Sequence, residues 1–275
     1  MEILGEMLLD GQYLPTNPVD GKLWLERAAH IDSISAMLIL GSRLLDGRGL
    51  SRSQAQGLKW LRKAANQGNA IAMTALARRY AVGDGLQENR NRAHQWIQKA
   101  KQIIDKTNNW DEKRGLGVAL YLIGDYQSAA TLFLQGYQND QEPFRINLAY
   151  MIRRQEIPAD IIVPPITDLL SQLLSEKKPE AIVLINYALC LATGFAYPQD
   201  WHKADETIAN LEDVDDDWEW WYDLTKRGDS EGELVVGWLV RHHHIKDPDG
   251  LTVAERLQRA ADARWDIPEW MFESN

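Results

Sequence analysis

Residues 40–72 read LGSRLLDGRGLSRSQAQGLKWLRKAANQGNAIA and residues 76–100 read LARRYAVGDGLQENRNRAHQWIQKA, and one register of 36 residues aligns the two stretches. Trp24, Trp60 and Trp96 follow that step, as do Leu4, Leu40 and Leu76, and Gly11, Gly47 and Gly83. Ala28, Ala64 and Ala100 keep it too, with Leu14, Leu50 and Leu86. Chance rarely aligns tryptophan three times, so the period is structural. Inside one unit, Ala36, Met37, Leu40 and Leu44 fall at helical spacing over Ala36 to Asp46, and Gly47-Arg48-Gly49 stops that helix. Ser51 or Ser53 can cap the next helix, Gln54 to Asn66, whose Ala55, Leu58, Leu61 and Ala65 share a face. Gly68 then supplies the left-handed turn. Each unit is therefore a helix, a glycine turn and a second helix. The small columns Gly5/Gly41/Ala77 and Ala28/Ala64/Ala100 let the two helices approach closely.

Working outward, 275 residues with 45% hydrophobic and 25% charged composition fold around a core and exclude a disordered chain. A single cysteine, Cys190, excludes an internal disulfide and any Cys/His zinc spacing. Thirty Lys plus Arg against 40 Asp plus Glu, a net charge of −10, argues against nucleic acid as the main partner. The longest apolar run, Ala181 to Ala192, is shorter than the roughly 18 residues a membrane helix needs. MEILGEMLLDG at the start lacks a basic region and a long apolar core, so it does not read as a signal peptide. A cytoplasmic location is the expectation. The alternative is the periplasm, because Met1 aligns with Met37 and the chain starts inside a first helix, as a trimmed mature domain would.

The quoted stretches, with LCLATGFAYPQDWHKA (Leu189 to Ala204) as a looser copy, resemble the Sel1-like repeats, a helical-hairpin class related to tetratricopeptide repeats. The resemblance implies an all-α, right-handed α-solenoid of antiparallel helix hairpins. Residues 1–105 divide into three such repeats. Residues 106–156 look like tetratricopeptide repeats, with Leu116, Gly117, Tyr126, Ala129 and Phe133 in LGVALYLIGDYQSAATLF and a further first helix at Asn147 to Tyr150. Residues 157–275 read as degenerate helical repeats, after a helix-free stretch set by Pro158, Pro164 and Pro165. The tail RWDIPEWMF, Arg264 to Phe272, would cap the last hairpin with Trp265, Trp270 and Phe272. On this pattern Trp24, Trp60 and Trp96 are core residues placed by the repeat.

In the related tetratricopeptide geometry, the inward positions lie three before, one after and four after the small crossing residue of each first helix. Taking Gly41, Ala77, Gly117, Ala149, Ala188 and Gly237 as crossing residues, those positions include Arg78, Arg114, Tyr150, Arg153, Trp238 and Arg241. Four arginines and two aromatics on one face suit an acidic or carboxylate-bearing protein segment; solvated charges paired with Glu and Asp are the bland alternative. Leu211 to Asp223, LEDVDDDWEWWYD, reads either as a core helix capped by aspartates or as an acidic, aromatic contact patch. Arg241-His242-His243-His244 lacks an i, i+4 His pair, the calcium-loop spacing is absent, and Asp247-Pro-Asp-Gly250 is turn chemistry. No catalytic residue, metal or cofactor is expected, and buried Cys190 should be inert. Some members of the resembled class have been described as β-lactam-binding, but those are disulfide-rich, so that function does not transfer. The expectation is a non-enzymatic, bacterial adaptor or scaffold that binds another protein. The alternative is an immunity protein that neutralises a co-encoded toxin, such as a type VI secretion effector, an acidic chain suiting a basic toxin.

Overall fold

Four glycines stop four first helices in the same way. Gly11, Gly47, Gly83 and Gly194 take φ of 71°, 79°, 77° and 71°, a left-handed conformation that costs a side chain energy and costs glycine none. The chain then returns a backbone N–H to the helix just ended: Asn17 to the Leu8 carbonyl, Ser53 to Leu44, Asn89 to Tyr80 and Asp200 to Leu191, at 2.7 to 3.0 Å. The last of these reproduces the loop in the looser copy, Leu189 to Ala204. Two residues beyond each glycine the backbone is left-handed again, at Gly49 and Gly85 but also at Tyr13 and Ala196.

The computed structural model describes residues 1–11, 13–107, 109–212, 221, 224–225, 228–263 and 265–272. Among them there are 14 α-helices and no strand. The chain divides into two compact units, residues 1–132 and 133–275. The first holds α1 (Glu2–Asp10), α2 (Pro18–His30), α3 (Ile34–Asp46), α4 (Gln54–Asn66), α5 (Ala70–Val82), α6 (Arg90–Ile104) and α7 (Trp110–Leu122), and α8 (Tyr126–Gln138) runs across the division. The second holds α9 (Glu142–Arg153), α10 (Ile166–Leu174), α11 (Ala181–Thr193), α12 (Trp201–Ala209), α13 (Ser230–Arg241), α14 (Val253–Asp262) and a 3-10 turn, Glu269–Phe272.

In the first unit α1 packs on α2, α3 on α4 and α5 on α6, and α5 also meets α7. Close approach explains the small columns: a Cβ added at Gly41 would lie 2.8 Å from the Leu61 side chain, and one at Gly57 2.8 Å from the Gly41 carbonyl oxygen. All six crossing residues expected from sequence, Gly41 to Gly237, are buried. N-caps follow the same step: Asn17 and Asn89 cap α2 and α6, and Ser33 and Asn69 cap α3 and α5, each side chain accepting a backbone N–H. Ser53 stands at the N-cap of α4 without a side-chain bond. In the second unit α9 packs on α10 and α11, α11 on α12, and α13 on α14.

Candidate functional site

Consecutive repeats of the first unit are joined by a recurring ion pair. Arg43 of α3 forks onto Asp10 at 2.6 and 2.7 Å, and Arg79 of α5 reaches Asp46 at 2.9 Å, each spanning 33 residues. Arg79 also bonds Asp84, which Arg52 approaches at 3.5 Å. The columns Asp10/Asp46 and Arg43/Arg79 keep the 36-residue step in the sequence, so this signal was available there and went unread. The tryptophan column is mixed: Trp60 is buried, while Trp24 and Trp96 are half-buried. Each carries a cation three residues on: Arg27 over Trp24 at 5.0 Å, Lys63 over Trp60 at 5.7 Å and Lys99 over Trp96 at 4.5 Å.

Arg78 and Arg114 are exposed, on α5 and α7. Those two helices touch where a Cβ added at Gly115 would meet the Thr74 hydroxyl at 3.1 Å. The other four expected contact residues belong to the second unit and are inside it. Arg153, 7% exposed, forks onto Glu231 of α13 at 2.5 and 2.7 Å and donates to Asn186 of α11 at 3.2 Å. Burial pushes the Arg153 pKa down, but Glu231 outweighs it and holds the guanidinium charged. Tyr150 packs on Trp221 with ring centroids 6.0 Å apart, beneath the Arg153 and Arg154 guanidiniums at 5.6 Å each. Trp238 is fully buried against Trp201. Arg241 donates to the Met271 carbonyl at 2.7 Å, which fastens the tail. A partner cannot reach these four side chains, so the six do not form one face; Tyr150, Arg153, Trp238 and Arg241 tie helices together. The reason is local: ten of the twelve residues of α13 are buried, including positions that an open hairpin would leave bare.

The clearest side-chain cluster missed in the sequence surrounds Arg256. Its side chain is fully buried and meets Glu233 at 2.7 Å, Asp247 at 2.6 and 3.1 Å and Asp249 at 2.6 Å. The Asp247-Pro-Asp-Gly250 turn is thus also a clamp. No spacing rule joins a turn to an arginine on the following helix, and nothing in composition marks an arginine as buried.

The tail docks through Met271, which is fully buried, with Trp265 Nε1 donating to Ser230 at 3.1 Å and Trp270 stacking on His202 at 4.6 Å. Trp265, Trp270 and Phe272 are half-buried, and Met271, which the sequence reading did not single out, is the most buried side chain of the tail. Arg264 lies outside the described residues. So do Asp213 to Trp220, Tyr222 and Asp223; of that segment Leu211, Glu212 and Trp221 are described, and Leu211 and Trp221 are core.

His242 Nε2 lies 2.9 Å from Asp205 and His244 Nε2 2.7 Å from the Ile208 carbonyl, so each imidazole holds to α12 or the residues beside it. Among the described residues no cluster of three or more His, Cys, Asp or Glu could hold a metal ion. No helix among them is long and apolar enough to cross a membrane.

In the first unit, helical hairpins joined by a repeated staple, with core residues in fixed columns, define a helical-repeat protein. Residues 1–32, 34–69 and 70–102 match the Sel1 repeat family. Such repeats mediate protein–protein interaction and typically form non-catalytic scaffolds. No curated protein matches the sequence. Among solved structures, 96% of the chain aligns with a protective antigen present in uropathogenic Escherichia coli strains and displaying an SLR fold, at 21% identity and a TM-score of 0.47. The chain spans 53% of that protein's length. A Sel1 repeat protein from Oxalobacter formigenes aligns over 96% of this chain and 86% of its own, at 18% identity and a TM-score of 0.44.

Proposed function

We propose that the chain is a non-enzymatic bacterial adaptor whose first unit holds a protein partner. The observation that carries this reading is the pair Arg78 and Arg114, exposed on two first helices that pack against each other. Arg79–Asp46 ties α5, the helix that carries Arg78, to α3. Guanidiniums placed this way suit carboxylates of an acidic protein segment. The test is recovery of partners with the tagged protein from its native host, followed by titration of a recovered partner against the Arg78→Glu, Arg114→Glu variant. A loss of at least about tenfold in affinity is expected. Unchanged affinity removes these residues from the interface.

The second reading, an immunity protein against a co-encoded toxin, draws on charge distribution. Residues 133–275 hold 13 Lys plus Arg and 27 Asp plus Glu, a net −14 that suits a basic partner. One tight basic partner in the same recovery favours neutralisation; several weak partners favour the scaffold.

A further inference from the structure

Residues 1–132 contain 17 Lys plus Arg and 13 Asp plus Glu, a net +4 within a chain of −10. The excess is concentrated. Helices α4 and α6 carry seven Lys and Arg side chains and no Asp or Glu. The two helices converge on Tyr80: Arg92 Nη1 of α6 donates to its hydroxyl at 3.4 Å, and Arg62 of α4 lies near enough to act on the same group electrostatically. Burial pushes the phenol's pKa up, yet the two guanidiniums together bring it below its ordinary value. No carboxylate among the described residues pairs with Arg62 or Arg92, and both residues are exposed.

The same architecture one repeat earlier supplies a comparison. Glu26 of α2 occupies the position of Arg62, Lys22 pairs with Glu26 at 3.6 Å, and Lys63 pairs with Asp32 at 2.9 Å. On α4 and α6 Lys63 and Arg90 have carboxylate partners, whereas among the described residues no carboxylate pairs with Arg62 or Arg92.

We propose that the exposed face of α4 and α6 docks an Asp/Glu-rich segment of a partner protein, with Arg62 and Arg92 as its carboxylate anchors. Charge complementarity fixes the sign of the occupant. The rings decide its class. Lys99 covers Trp96 and Lys63 covers Trp60, so these rings are taken by cations and not offered for stacking nucleobases. Paired guanidinium forks match carboxylates. Arg62 and Arg92 stand on second helices and Arg78 and Arg114 on first helices, so separate variants test this proposal, which also concerns an acidic partner segment, and the one above.

The experiment is fluorescence anisotropy of a labelled octaglutamate peptide titrated with the full chain at two salt concentrations. Binding that weakens with salt is expected, with a loss of at least about tenfold in Arg62→Glu, Arg92→Glu and a smaller loss in Arg62→Gln, which keeps the side-chain stem. Lys177→Glu, in the second unit, should bind the peptide as the parent does. The proposal is overturned if a charge-reversed variant with the parent's circular dichroism spectrum binds equally well. It is overturned also if a single-stranded oligonucleotide of equal charge binds more tightly, or if sedimentation shows a dimer that Arg62→Glu dissolves, which would put a second copy's acidic unit on this face.

Discussion

Arg256 has no exposed atom surface and three carboxylate partners, so its replacement exposes the difference between making a buried ion cluster and breaking one. Arg256→Ala leaves Glu233 and Asp247 buried without their cation and should cost about 3–5 kcal/mol in chemical denaturation. Arg259→Ala on the same helix, where the side chain is half in solvent, should cost under about 1 kcal/mol. Asp247 adds a pH signature. Burial pushes its carboxyl up, but Arg256 and the backbone N–H groups of Leu251 and Asp249 hold it below its ordinary value. A depressed folded-state pKa gives stability that is present above the unfolded pKa and lost as pH falls through the folded one. The stability gap between the parent and Asp247→Asn should therefore narrow as pH drops from about 5 to about 2, and urea melts across that range would show it. Cys190 is fully buried in α11, and burial pushes its thiol up to about 11. Ellman's reagent should not label it in the native protein at neutral pH and should label it promptly in denaturant; rapid native labelling would contradict the burial.

At the scale of the element, the repeated glycine loop was readable because it needs glycine at a fixed offset, and a fixed offset is what a sequence displays. α3 and α4 fall at Ile34–Asp46 and Gln54–Asn66, within two residues of the helices expected from periodicity. The six contact positions were counted from six residues that are all buried, but an offset says where a side chain points and not what lies there. In α5 and α7 it is solvent; in α9 and α13 it is other helices of the unit. Burial there depends on partners such as Glu231, 78 residues from Arg153, and no short-range pattern encodes that separation. Ala196 shows the reverse case. Its φ of 63° occupies the slot that Gly49 and Gly85 fill in the earlier loops. Ala196→Gly should raise stability by about 0.5–1 kcal/mol, the relief of left-handed strain exceeding the added chain entropy, and a thermal melt shifted downward would refute this.

Across the whole molecule, charge is the property that composition obscures most. A total of −10 led to the expectation that nucleic acid is not the main partner. It is the sum of a +4 unit and a −14 unit, so the net value describes neither. Residues 1–132, at +4, do not repel nucleic acid by net charge; there the Trp60 and Trp96 rings are covered by Lys63 and Lys99. Ionic strength should consequently act differently on the two units' partners: anionic probes of α4 and α6 are released by salt, and so are cationic probes of the second unit, each unit ignoring the other's ligand.

The Arg43–Asp10 and Arg79–Asp46 pairs share a span of 33 residues inside a period of 36, and this makes the chain modular in length. A second copy of residues 34–69 inserted after Asn69 would bring its own arginine to Asp46 and its own aspartate to Arg79. Such a chain should fold with two additional 13-residue helices, visible as increased helical ellipticity. An insertion a few residues shorter or longer would leave both staples unmatched. Growth by duplication is therefore permitted in whole units and resisted in fractions, a ratchet on lineage length written in two salt bridges.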